Sequence, residues 1–178
     1  KHNLKIGTVS DLIAYRLKND TIVEKISERN FESYFGGNFK LLKFKNTLSN
    51  DEHYALVSNF INVNNPVYVR MHKHSIIKDI LAERNVFNDD IRRSIEIINN
   101  KKNGVIVIIN DNHTARIEKA FARRKSQKKD KLEFREYGVG AQILKNIGLT
   151  EIILLTNNEK KIIGLHGFDL KIIRQEKF

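Results

Sequence analysis

Residues 135–155 read REYGVGAQILKNIGLTEIILL, and the fold follows from how that stretch divides. Residues 136–147 carry apolar side chains at helical spacing, and Gly148 stands where a helix is stopped by a residue free to adopt positive φ. Four apolar residues, Ile152–Leu155, then form a run too short for a buried helix and suited to a strand covered on both faces. Upstream, Gly104 opens a second such run, Val105–Ile109. A helix is expected over about 115–125, and a last strand over Leu170–Ile173. Strand, helix, strand, helix, strand from residue 104 onward indicates a parallel α/β unit.

The first half has a different character. Phe39–Phe44, Tyr54–Phe60 and Val67–Met71 read as strands separated by polar turns, with YFGG at 34–37 as a further turn. Pro66, the sole proline, precedes a strand, where its missing N–H is tolerated. Helical spacing returns at Ile76–Leu81 and at Ile91–Asn99, where Ile91, Ile95 and Ile98 share a face. The fold class is therefore α/β, with α+β character in the first half. Near the N-terminus, Ser10 caps an expected amphipathic helix.

The 178 residues suffice for one domain with an appended arm. With no cysteine, a disulfide, a thiolate metal site and a cysteine nucleophile are all excluded. No apolar run reaches the roughly 18 residues of a membrane span, so no membrane partner and a cytoplasmic location are expected. The net charge of +11 suits an anionic partner, which charge alone does not choose. Residues 116–131 hold eight Lys or Arg against Glu118 and Asp130. The stretch reads either as a phosphate-binding segment or as a solvated loop. Only Phe121 is aromatic there, so stacking on single-stranded nucleic acid is poorly supported.

Residues 135–173 resemble the C-terminal part of GTP cyclohydrolase II, whose members carry R-D-Y-G-I-G-A-Q-I-L, L-L-T-N-N-P-x-K and G-L-x-G-Y-G-L. DEHYALV at 51–57 with PVYVRMH at 66–72 looks like the family's E-H-x-A-L-V and P-V-L-V-R-V-H-S strands, and ESYFGGNF at 32–39 like its P-T-x-Y-G-x-F opening. Residues 1–29 resemble the end of 3,4-dihydroxy-2-butanone 4-phosphate synthase and the linker of the fused enzyme. The resemblance implies a mixed sheet with covering helices. It also divides the chain into a synthase tail and linker helix over 1–30 and a cyclohydrolase-like domain over 31–178. The chain opens at Lys1-His2-Asn3 without an initiator Met, which fits a piece of a longer polypeptide.

In that family a zinc ion on three cysteines activates water to open the imidazole ring of GTP and release formate. An arginine attacks the α-phosphate, and magnesium helps hold the triphosphate. Here the three zinc positions fall at Ser75, Val86 and Asn88, none a good ligand, so the zinc is expected to be lost. His72 and His74 face one way on a strand and read as half a metal site or as two edge histidines. The family's glycine-rich phosphate loop is replaced after Ile109 by Asn110–Ala115, without glycine. Arg135 matches the nucleophilic arginine, and Glu133 stands near its partner aspartate. Arg70, Thr156 and Lys161 match nucleotide contacts.

The expected function is a structural or regulatory domain of a synthase-type riboflavin protein without GTP cyclohydrolase activity. Its partner is the N-terminal synthase domain, which uses magnesium, and the segment itself carries no cofactor. GTP is a further candidate ligand, and a homodimer is implied by the resemblance. Two alternatives stay open. One is a nucleotide-binding enzyme that releases pyrophosphate from GTP through Arg135. The other, ranked last, is a basic nucleic-acid-binding module.

Overall fold

The computed structural model describes residues 15, 19–82, 89–110, 129–157 and 169–178, with the backbone alone for Ile77 and for 129–137. The expected helices near Ser10 and over 115–125 lie outside the described residues. The described chain forms β1 (Val23–Glu32), β2 (Asn38–Asn46), β3 (Glu52–Ser58), β4 (Val67–Lys73), α1 (Asp90–Lys101), β5 (Gly104–Ile109), α2 (Lys129–Ile147), β6 (Glu151–Leu155) and β7 (Lys171–Glu176).

The seven strands make one sheet in the order β1-β2-β3-β5-β4-β6-β7. Pairing is antiparallel from β1 to β5 and parallel from β5 through β4 and β6 to β7. The mixed sheet bears out an antiparallel first part and a parallel second part, with one correction: β4, expected in the antiparallel half, pairs parallel with β5 and β6, while β5 also pairs antiparallel with β3. Turn chemistry sets the first strands. At the β1–β2 turn Gly36 and Gly37 adopt φ of 92° and 91°, and a Cβ on Gly37 would meet Asn99 Oδ1 at 2.8 Å. At the β2–β3 turn Asn46 Oδ1 accepts from the amides of Leu48 and Ser49, an Asx turn that offsets the broken ladder.

Alternation along β5 explains why the sheet is covered on both faces. Val105, Val107 and Ile109 join a core with Val67, Val69, Ile152 and the α2 residues Val139, Ala141, Ile143 and Leu144. Ile106 joins the opposite core with Phe39, Leu56, Leu155 and the α1 residues Ile95 and Ile98. Each such fully buried aliphatic side chain contributes about 1.5–3 kcal/mol relative to exposure. α2 ends in a Schellman motif: the Gly148 amide reaches Lys145 O at 2.9 Å and the Leu149 amide reaches Leu144 O at 3.1 Å, with Gly148 at φ 92°.

Beyond shifts of one to three residues at element ends, as in β2, β3 and β7, three larger differences from the sequence expectation occur. Residues 76–81, expected as a helix, form a single π turn, Ile76–Ile80, closed by the Leu81 amide on Ile76 O. Ser75 caps it, and Ile76, Ile80 and Leu81 are exposed, so no apolar face prolongs it. α2 begins at Lys129, seven residues before the expected start. Residues 23–32 form a strand paired with β2 along its length, so among the described residues the sheet begins at Val23.

Candidate functional site

β4 connects through α1 to β5 on one side, and β6, on the other side of β4, leads on to β7 still farther away. The connections from the neighbouring strands β4 and β6 therefore diverge, and open α/β sheets bind ligands in the crevice this leaves at the carboxyl ends of the strands. The candidate site residues that the structure describes gather at this end.

Arg70 lies on β4 with its side chain on the α1 face and spans the crevice. Its Nη2 donates to Asp90 Oδ2 at 2.7 Å and its Nη1 donates to Leu155 O, at the end of β6, at 3.2 Å. The pair is largely withdrawn from water, with side chains 14% and 11% exposed. The Phe178 ring covers the guanidinium, 4.6 Å from Cζ to centroid. Asn157 Nδ2 approaches the second Asp90 oxygen at 3.4 Å, and Asn157 Oδ1 accepts from the Phe178 amide. Asp90 is the first residue of α1, where the helix dipole favours a carboxylate. Thr156 is placed by its amide on Glu176 O, which ties the end of β6 to β7.

A second cluster sits at the end of β4. Asp79 Oδ2 lies 2.9 Å from His72 Nε2, 2.7 Å from the Ser75 amide nitrogen and 3.5 Å from His74 Nδ1. An ionised carboxylate only accepts, so His72 Nε2–H is the donor in this contact. His72 is thus hydrogen-bonded to this oxygen, and His74 lies at the looser distance of an ion pair from it. Among the described residues no group of three or more His, Asp or Glu is placed to hold a metal ion. Ser75, at the first zinc position implied by the resemblance, accepts from the Lys78 amide as a turn cap. Val86 and Asn88 lie outside the described residues. A zinc held by three thiolates does not fit a chain without cysteine.

Arg70 and Thr156 are brought to one crevice. Glu133 and Arg135 fall in the N-terminal part of α2, where only the backbone is described. Lys161 lies outside the described residues. Sequence reading missed Asp79, Asp90 and Phe178. Asp79 and Asp90 carry a weak signal, as acidic residues at the starts of expected helices, while Phe178 carries none.

These features meet a known family. A model of the GTP cyclohydrolase II family matches residues 24–177. The chain belongs to the GTP cyclohydrolase II family. The riboflavin biosynthesis protein RibBA of Aquifex aeolicus is 32% identical over 190 residues, covering 98% of this chain and 47% of that protein. That of Phocaeicola vulgatus is 33% identical over 184 residues, covering 96% and 45%. Among solved structures, RibBX of A. baumannii, described as a two-domain 3,4-dihydroxy-2-butanone 4-phosphate synthase, superposes with a TM-score of 0.69 at 28% identity. The match covers 98% of this chain and 46% of that one. The chain thus spans about half the length of the relatives it matches. No helix of the described residues is long and apolar enough to cross a membrane.

Proposed function

We propose that this chain is a GTP cyclohydrolase II-family domain that does not open the GTP ring. On this reading it serves as a structural or regulatory module of a riboflavin-biosynthesis polypeptide. The enzyme activity of that polypeptide, a 3,4-dihydroxy-2-butanone 4-phosphate synthase, resides in an upstream half. The observation that carries the reading is the state of the first zinc position: Ser75 caps a π turn, and the chain contains no thiol. Zinc generates the attacking hydroxide by lowering the pKa of bound water, and without it ring opening lacks its nucleophile. The two-domain organisation named for the A. baumannii protein supports a synthase as the partner. A homodimer belongs to the same proposal.

The test is formate release from GTP by the purified chain, with and without added zinc, beside a cysteine-containing member of the family. No release above the uncatalysed background is expected in either condition. Robust zinc-dependent turnover would sink the reading.

A further inference from the structure

The crevice between β4 and β6 is the place where this sheet topology receives a ligand. Among the described residues, an internal ion pair occupies it. Both terminal nitrogens of Arg70 are committed, Nη2 to Asp90 and Nη1 to Leu155 O, and the Phe178 ring lies on the guanidinium face. The carboxylate is itself held in place. It starts α1, its other oxygen is met by Asn157, and its carbonyl accepts from the Ser94 hydroxyl at 2.6 Å.

The carboxylate takes one donor of the Arg70 guanidinium, Nη2, and the Leu155 carbonyl takes the other, Nη1, so an anion that would use both, such as a phosphate, must displace the carboxylate. The tether opposes that displacement. A group fixed to the same chain has an effective concentration on the order of millimolar or higher, which a free anion must exceed to displace it. We propose that Asp90 is a built-in anion surrogate that closes the β4–β6 crevice to phosphate-bearing ligands and thereby determines the anion specificity of this site. The proposal deepens the reading of the domain as non-catalytic and rests on it, since a domain that turned over GTP would have to open this crevice.

The probe is inorganic pyrophosphate, titrated calorimetrically into the whole chain as wild type, Asp90→Asn, and Asp90→Asn with Arg70→Gln. Asp90→Asn keeps the side-chain shape and removes the charge. It is expected to bind pyrophosphate at least about tenfold more tightly than the wild type. Loss of that gain in the double variant assigns it to Arg70 rather than to the many surface lysines. No gain, or a gain that survives Arg70→Gln, overturns the proposal.

A second measurement needs only the wild-type fold. The Arg70 guanidinium resonance, assigned by comparison with Arg70→Lys, is expected to stay unshifted through the same titration. A saturable shift also overturns the proposal. Formate release bears on catalysis and the pyrophosphate gain bears on Asp90, so failure of the one is distinguishable from failure of the other.

Discussion

Asp79 gathers the amide of Ser75 and the rings of His72 and His74 on one carboxylate oxygen. The oxygen holds the first turn of the β4–α1 crossover against the sheet. Asp79→Ala leaves the buried His72 ring and the Ser75 N–H without this acceptor. An unsatisfied buried donor costs about 1–3 kcal/mol. The urea midpoint is expected to fall by the corresponding amount at unchanged slope, and an unmoved midpoint would show that the turn is held by other contacts. Arg135 offers a complementary test on catalysis. If the domain is non-catalytic, pyrophosphate release from GTP stays at background in the wild type and in Arg135→Ala alike. An activity present in the first and absent in the second would instead favour a reduced nucleotide enzyme. At this scale the sequence shows donors better than their partners. Arg70 stands out from its motif, but Asp90 is twenty residues away and meets it only because α1 begins beside the end of β6.

The elements were legible where their own residues carry the period. α1 and β5 fall close to the ranges expected, because Ile91, Ile95 and Ile98 mark one helix face and Val105–Ile109 is apolar throughout. β1 was not legible. VEKISERNFE holds few apolar residues, most of the strand is exposed, and its conformation comes from pairing with β2. Gly104 joins α1 to β5, and a Cβ there would lie 2.6 Å from Ile98 Cγ1 and 3.0 Å from the Tyr68 carbonyl oxygen. The β-branched Ile98 is stiff and the carbonyl is backbone, so neither yields easily. Gly104→Ala is expected to lower stability by about 1–3 kcal/mol, measured by urea denaturation. A neutral result would require α1 to shift on the sheet.

Across β2 and β3, Lys43 lies 2.7 Å from Glu52. That hydrogen bond is the main cause holding the Glu52 carboxyl below its ordinary value of 4.5, with a second bond from the Tyr54 hydroxyl. The same bond raises Lys43 above its ordinary value of 10.5. A carboxyl lowered in the folded state stabilises fully above 4.5 and loses that effect as pH falls through the lowered value. A raised lysine stabilises fully below 10.5 and loses it as pH rises through the raised value. Lys43→Met is therefore expected to lower the thermal midpoint slightly at neutral pH, with the difference from wild type shrinking on acidification below 4.5. A difference that is constant across that range would assign the effect to packing.

For the molecule as a whole, strand order was the part least open to sequence reading. β3 and β4 are consecutive, yet β5 lies between them, so the crevice at β4 and β6 exists only once the crossovers are placed. Charge was open to reading in amount and not in arrangement. The net +11 invites a nucleic-acid partner. In the described residues, however, many cations sit beside carboxylates: Lys25 and Lys40 with Glu28, Lys43 with Glu52, Arg92 with Asp89 and Glu96, Lys171 with Glu151, and Arg174 with Glu176. A groove that tracks a phosphate backbone needs a continuous stripe of one sign. Such a stripe neutralises several phosphates at once, and its affinity falls with salt by a log–log slope of roughly −0.9 per phosphate on duplex DNA. Interleaved pairs give a shallow slope, because each cation already has a counter-charge. Fluorescence anisotropy with duplexes of two lengths across a salt series is expected to show weak association that does not strengthen with length. A steep slope with length-dependent affinity would make the basic stretch Arg116–Lys131 a nucleic-acid surface in its own right, since the paired strands could not supply it.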